Sequence, residues 1–227
     1  MSHPLDRPIW NALGSRHAGL AVGTGRARRY RPAVVPFAAA EDESAESLSD
    51  LANLVGPSET VLLLQAPTIV VPPSMVATVR ARGVQMVADP DAIPDDEPTD
   101  IVPLGPSDAV EMLDLATLTK PGPFTLEAQR LGRFFGVRID GRLAAMAGER
   151  MALPGWVEVS GVCVHPDFRG RGLARRLSVH VARRIVRAGD RPFLQAYATN
   201  EAAIALYRSI GFSLRTGVDV AAIVRPE

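Results

Sequence analysis

Residues 160–177 read SGVCVHPDFRGRGLARRL, with four arginines and two glycines falling between Arg169 and Arg176. The run up to Val164 is β-branched and small, as a buried strand is. His165-Pro166 breaks it. From Leu173 onward, Leu173, Leu177, Val181 and Ile185 recur at helical spacing, so the stretch reads as strand, glycine loop, helix. Glycine lets a backbone approach a partner closely, and arginine grips oxyanions in a fixed fork. The first N–H groups of a helix have no partner within it and point outward, which makes such a loop a ready anion site. Phosphate is the expected occupant.

Two phosphate motifs fail. A Walker A loop ends in Gly-Lys-Ser/Thr, whereas this chain has Gly172-Leu173-Ala174. A dinucleotide fingerprint needs a small residue where Arg175 stands. A third pattern fits: Arg/Gln-x-x-Gly-x-Gly/Ala, met by Arg169, Gly172 and Ala174. On the helix beyond, Arg176, His180, Arg183 and Arg187 make a narrow polar stripe and are expected to be its wet side.

Composition narrows the field. The chain has 227 residues, 47% hydrophobic and 22% charged, with 25 basic and 25 acidic residues. Zero net charge argues against a general nucleic-acid binder. Lys120 is the one lysine. The single cysteine, Cys163, excludes an internal disulfide and reads as a buried, inert thiol. The four histidines are scattered, so no metal site is expected. The N-terminus has no signal pattern, and no apolar run approaches the ~18 residues of a membrane span. A cytoplasmic protein is expected.

DPDAIPDDEPTD, residues 89–100, is the sharpest candidate boundary, rich in Pro and Asp. Before it, AGLAVG-TG-RARRY reads as two short strands, SAESLSDLANLV as a helix, and ETVLLLQ and GVQMVAD as strands. After it come strand DIVPL, helix PSDAVEMLDLATLT, loop KPGPF, short helix TLEAQRL and a hairpin turning at Asp140-Gly141. Strand WVEVSGVCV, the glycine loop, helix 173–188, strand PFLQAYA, helix 200–210 and a final strand pair in FSLRTGVDVAAIV complete the order. The class is α+β: a mixed, mostly antiparallel sheet with flanking helices, preceded by an α/β segment.

NEAAIALYRSIGF, residues 200–212, follows the glycine loop after a helix and a strand. The two stretches together resemble the conserved motifs of the GNAT acyltransferases, in particular the FR47-like branch. The resemblance covers about residues 100–220; residues 1–99 match no motif and form an N-terminal extension of unknown role. It implies a GNAT domain over 100–227 that moves an acetyl group from acetyl-CoA to a primary amine on an amino acid, a small metabolite or a peptide N-terminus. The alternative is a catalytically silent acyl-CoA-binding sensor. The donor's pyrophosphate would sit on Arg169, Gly170, Arg171, Gly172, Leu173 and Ala174. Its pantetheine arm would run along the strand edge at Val162, Cys163 and Val164, with Asn200 touching the arm, capping its own helix, or both. Tyr207 falls at the family's tyrosine, placed to protonate the departing sulfur; the bland alternative is a core tyrosine. Glu158 falls where many relatives keep a base, and could equally be a solvated strand residue. Gly122 and Phe124 of the KPGPF loop, with Glu149 or Arg150, would border the acceptor. Partners are limited to acetyl-CoA and the amine, without nucleic acid or membrane, and a homodimer is left open.

Overall fold

A computed structural model describes residues 3–95 and 100–227. In chain order the elements are α1 (Pro8–Leu13), β1 (Ala21–Val22), β2 (Ala27–Tyr30), β3 (Ala38–Ala40), α2 (Ala45–Asn53), β4 (Thr60–Gln65), β5 (Val76–Ala88) and β6 (Ile101–Leu104). Then follow α3 (Ala109–Thr119), β7 (Phe134–Ile139), β8 (Arg142–Leu153), β9 (Trp156–Val164), α4 (Leu173–Arg187), β10 (Arg191–Tyr197), α5 (Glu201–Arg208) and β11 (Phe212–Val224). The expected short helix at TLEAQRL is only a 3-10 turn, Ala128–Arg130. The β7–β8 hairpin turns through Asp140 (φ 51°) and Gly141 (φ 77°), the left-handed pair that a two-residue turn of this kind demands.

Eight strands form one sheet in the order β4-β11-β5-β10-β9-β8-β7-β6. Only the β9–β10 pair is parallel; the others are antiparallel. A separate small sheet joins β1, β2 and β3.

Two expectations change here. The tail does not fold back as a strand pair: 212–224 is one long strand with a bulge between Leu214 and Thr216, and its hairpin-like partner is β5, from before the proposed boundary. Nor does the boundary separate two sheets. β5 lies between β10 and β11, and β4 extends the same sheet beyond β11. Gln85 in mid-β5 is wholly buried and donates to the Leu5 carbonyl at 2.9 Å, so the extreme N-terminal region is tied to the sheet as well.

Side chains alternate across the sheet and so sort the coverage of its two faces. Val157, Val159 and Leu194 join Leu173, Leu177, Val181 and Ile185 of α4 in one core. Trp156 and Phe193 point the other way, into a core with Leu5, Ile9 and Tyr30. At the β6–β8 end, α3 covers Phe134, Leu143 and Met146. Ile93, Pro94 and Asp100 of the segment 89–100 meet the polar stripe of α4. Arg183 donates to the Ile93 and Pro94 carbonyls at 3.3 and 2.8 Å, and Arg176 pairs with Asp100. Arg176, His180 and Arg183 are therefore only partly exposed, where an open wet face was expected. Residues 96–99 of that segment lie outside the described residues.

Candidate active site

The site opens where β9 and β10 part. They pair from Arg191 and Trp156 to Phe193 and Glu158. Beyond that, β10 pairs with β5 as far as Tyr197. β9 meanwhile bends. Gly148 faces Ser160 and Met146 faces Cys163, so β9 holds one extra residue there, and Gly161 takes φ 64° at the bulge. A bulge of this kind re-aims a strand, and glycine tolerates the left-handed conformation. The β9 edge from Ser160 to Val164 is left without β10 as a neighbour, free to pair with an extended amide chain.

At the end of that edge is the glycine loop. Gly170 (φ 76°) and Gly172 (φ 72°) are both left-handed, and a Cβ on either would meet nothing within 4 Å. Space, and not only conformation, is reserved there. Gly172 is the N-cap of α4 and makes no side-chain cap, so the first-turn N–H groups face outward with the helix dipole behind them. The Arg171 guanidinium stands 5.4 Å over the Phe168 ring. Ten of the eleven residues expected along the cofactor (Val162, Cys163, Val164, Arg169, Gly170, Arg171, Gly172, Leu173, Ala174 and Asn200) line one cavity of about 440 Å³; the eleventh, Tyr207, does not. Asn200 also caps α5, its Oδ1 accepting from Ala203 N at 3.2 Å. Burial pushes the Cys163 thiol up to about 11, as an inert thiol requires.

A second cavity, of about 350 Å³, shares Lys120, Pro121, Val162 and Asn200 with the first. Tyr207 lines this one. Its ring meets Phe212 edge-on at 6.1 Å. Burial, reinforced by the charges of Glu158 and Cys163, raises its hydroxyl to about 12. Such a tyrosine stays protonated through the physiological range and is a standing donor.

Of the residues expected to border the acceptor, Gly122 lines this cavity, and so does Arg150. Phe124 and Glu149 do not. Phe124 stacks edge-on against Phe134 at 5.5 Å, beneath the loop. Glu149 turns back to accept from Arg133 N at 3.3 Å, its carboxyl raised by desolvation.

Glu158 does not meet the description of an open base. Its side chain has no exposure. One oxygen accepts from Arg150 Nε at 2.8 Å and Met151 N at 3.4 Å. The other accepts from Arg150 Nη2 at 2.6 Å and Gln195 Nε2 at 3.3 Å. A carboxylate with both oxygens engaged and no exposure offers no lone pair to an amine in the cleft. Its effect is to fix Arg150 against the cleft. An extra β8 residue between Glu149 and Ala152 shifts the register opposite Val157–Val159, beside this pair.

The sequence reading gave no sign of the far wall. Phe37, Leu62, Leu64, Val79 and Gly83 come from before residue 90, and Val218, Val220 and Ala222 from β11. ETVLLLQ reads as a buried strand, but nothing local says which cavity it borders.

Two joined cavities, one floored by the glycine loop and one with a mixed apolar and polar wall, form the candidate site. Comparisons with known proteins make the class specific. Residues 135–219 match the family model described as FR47-like protein. A solved GNAT-family protein from Novosphingobium aromaticivorans is 43% identical, covers 100% of both chains and superposes with a TM-score of 0.93. A GCN5-related N-acetyltransferase from Kribbella flavida shares the fold at 17% identity, with a TM-score of 0.64 over 95% of this chain and 92% of that one. Among curated proteins, the [ribosomal protein bS18]-alanine N-acetyltransferase of Salmonella typhimurium is 38% identical over 78 residues, 34% of this chain and 52% of that protein. The N-alpha-acetyltransferase RimI of Mycobacterium tuberculosis is 36% identical over 99 residues, 40% of this chain and 60% of that protein. The matched segments thus span little more than half of these curated relatives. The chain belongs to the GNAT family of acetyltransferases and is an acyltransferase with that family's fold. Among the described residues, no helix is long and apolar enough to cross a membrane, and no cluster of His, Cys, Asp and Glu could hold a metal ion.

Proposed function

We propose that the protein transfers an acetyl group from acetyl-CoA directly to a primary amine. The observation that carries this is the junction of the two cavities at Val162 and Asn200, between the glycine cradle and Tyr207. The open space above Gly170 and Gly172 suits the pyrophosphate, the first-turn amides of α4 suit its charge, and the Ser160–Val164 edge suits the amides of the pantetheine arm. Acetyl-CoA supplies the thioester when bound. The chain supplies position and a proton: Tyr207 donates to the sulfur as charge develops there. Gln195, Glu158 and Arg150 hold one another rigidly beside the acceptor.

Among the described residues, no carboxylate lines the acceptor cavity. The attacking amine therefore enters neutral or gives its proton to solvent water, and turnover rises with pH as the neutral amine becomes abundant. Because Tyr207 titrates only near 12, no fall on the alkaline side should follow below about pH 11. The curated relatives are named a [ribosomal protein bS18]-alanine N-acetyltransferase and an N-alpha-acetyltransferase, so a peptide N-terminus heads the acceptor candidates. The test is release of CoA thiol from acetyl-CoA across a panel of amines, with acetylated product identified by mass. Turnover with at least one amine is expected. Acetyl-CoA binding without turnover on any amine would favour a sensor.

A further inference from the structure

The acceptor cavity carries more chemistry than its place beside Tyr207. We propose that it selects a primary amine on an apolar body without a second positive charge, with a carbonyl or carboxylate oxygen next to the amine held by Arg150. This rests on the acetyl-transfer reading above and deepens it.

Three observations combine. First, much of the wall is apolar: Phe37, Leu62 and Leu64 from the N-terminal segment lie beside Val218 and Val220 of the adjoining strand, with Val159 added from β9. Ser160, Gln195, Tyr197, Asn200 and Tyr207 bring uncharged polar groups. The volume of about 350 Å³ suits an amino-acid-sized body and lies at the small end for a ligand pocket. Second, the charged side chains among its lining residues are Lys120 and Arg150, both cationic. A second ammonium on the acceptor would lose water and gain two like charges with no carboxylate to meet it. Glu158 cannot serve, because its side chain is inaccessible and committed to Arg150.

Third, Arg150 has a donor to spare. Nε and Nη2 are taken by Glu158, while Nη1 has no acceptor among the described residues. Nη1 lies 3.8 Å from where a Cβ on Gly122 would stand, so it faces the Pro121–Pro123 loop at the cavity's edge. The guanidinium also stands 4.9 Å over the Phe37 ring, which fixes its plane. A planar donor held on two sides and open on the third is built to take an oxygen. The unprotonated amine is then delivered toward the junction with the cofactor cavity while the apolar body occupies the wall.

The experiment compares kcat/KM of the full chain for leucinamide, 3-methylbutylamine and spermidine at saturating acetyl-CoA. Leucinamide carries both the apolar body and the oxygen, the second amine lacks the oxygen, and the third is polycationic. The expected order is leucinamide first, 3-methylbutylamine lower by about tenfold or more for the lost charged hydrogen bond, and spermidine lowest, by about a hundredfold. Val79 at the rim is 54% exposed, so Val79→Asp should fold and should raise spermidine relative to leucinamide by several-fold. Spermidine equal to or better than leucinamide would overturn the proposal, as would parity between the first two amines or a Val79→Asp profile identical to the parent's. Turnover confined to spermidine would overturn this inference and leave acetyl transfer standing. Absence of turnover on every amine, with acetyl-CoA still bound, would overturn both.

Discussion

The cofactor cradle and the acceptor cavity sit side by side but are made differently. From Phe168 to Arg175 the cradle is one unbroken stretch of chain, joined by Thr119–Pro121, Val162–Val164, Asn200 and Leu206. Among the described residues, none before 100 lines it. The acceptor cavity draws on Phe37, β4, β5, the 120–123 loop, Arg150, β9, β10, α5 and β11. A site that grips an anion with backbone amides can be written in a few consecutive residues, because conformation alone supplies the donors. A site that fits a particular body needs walls, and these walls come from strands more than 150 residues apart, paired as Leu62 with Ala222 and Leu64 with Val220. On the proposed reading, the cofactor is handled locally and the acceptor by tertiary assembly.

The largest expected effect sits where the two regions meet. Tyr207→Phe keeps the ring against Phe212, so stability should hardly change, while kcat should fall by roughly 10²–10⁴ with acetyl-CoA affinity preserved. Steady-state kinetics beside calorimetry check this; full activity would make Tyr207 a packing residue and weaken the link between the cavities.

Next is the Arg150–Glu158 pair, which belongs wholly to the acceptor side. Glu158→Gln leaves a buried guanidinium without its counter-charge and should cost about 3–5 kcal/mol of unfolding free energy. Any loss of activity should not ease at high pH, because no base has been removed. Urea unfolding and a pH–rate profile measure the two parts, and recovery at high pH would restore Glu158 as a base.

A smaller effect tests how the N-terminal segment is held. His17, 7% exposed, has its Nδ1 2.8 Å from the Tyr30 hydroxyl, and burial lowers its pKa to about 4. A folded pKa below the unfolded 6.5 means that this stability is complete above about pH 6.5 and is lost as pH falls toward 4. The loss amounts to about 3 kcal/mol. His17→Gln should flatten stability over that window in thermal melts; an unchanged slope would place the acid sensitivity elsewhere.

Legibility followed the same division. Asp140-Gly141, the glycine loop and the Asn200 cap were readable because short-range backbone geometry dictates them. Ten of the eleven residues named for the cofactor from the sequence line one cavity. The placement of β5 was not readable. VATVRARGVQMVA alternates weakly, and only pairing with Phe193–Tyr197 on one side and Phe212–Val224 on the other decides that it is a central strand. The Pro- and Asp-rich stretch 89–100 reads as a domain linker on composition, yet Pro94 and Asp100 are held against α4 by Arg183 and Arg176. The surroundings of Glu158 are hidden in the sequence for a related reason. Alternation gave its strand but not its face, and its partner Arg150 comes from the neighbouring strand across a register shift.

The central claim is that the cradle binds acetyl-CoA independently of the acceptor wall. It is tested most directly by titrating acetyl-CoA calorimetrically into the parent chain, Gly172→Glu and Leu62→Ala, each confirmed folded. Gly172→Glu puts a carboxylate where the pyrophosphate would sit, a like-charge clash of several kcal/mol, whereas Leu62→Ala only hollows the acceptor wall. The account predicts binding to the parent and to Leu62→Ala with the same Kd, and none to Gly172→Glu. Parent-like binding by Gly172→Glu, or loss of binding in Leu62→Ala, would contradict it.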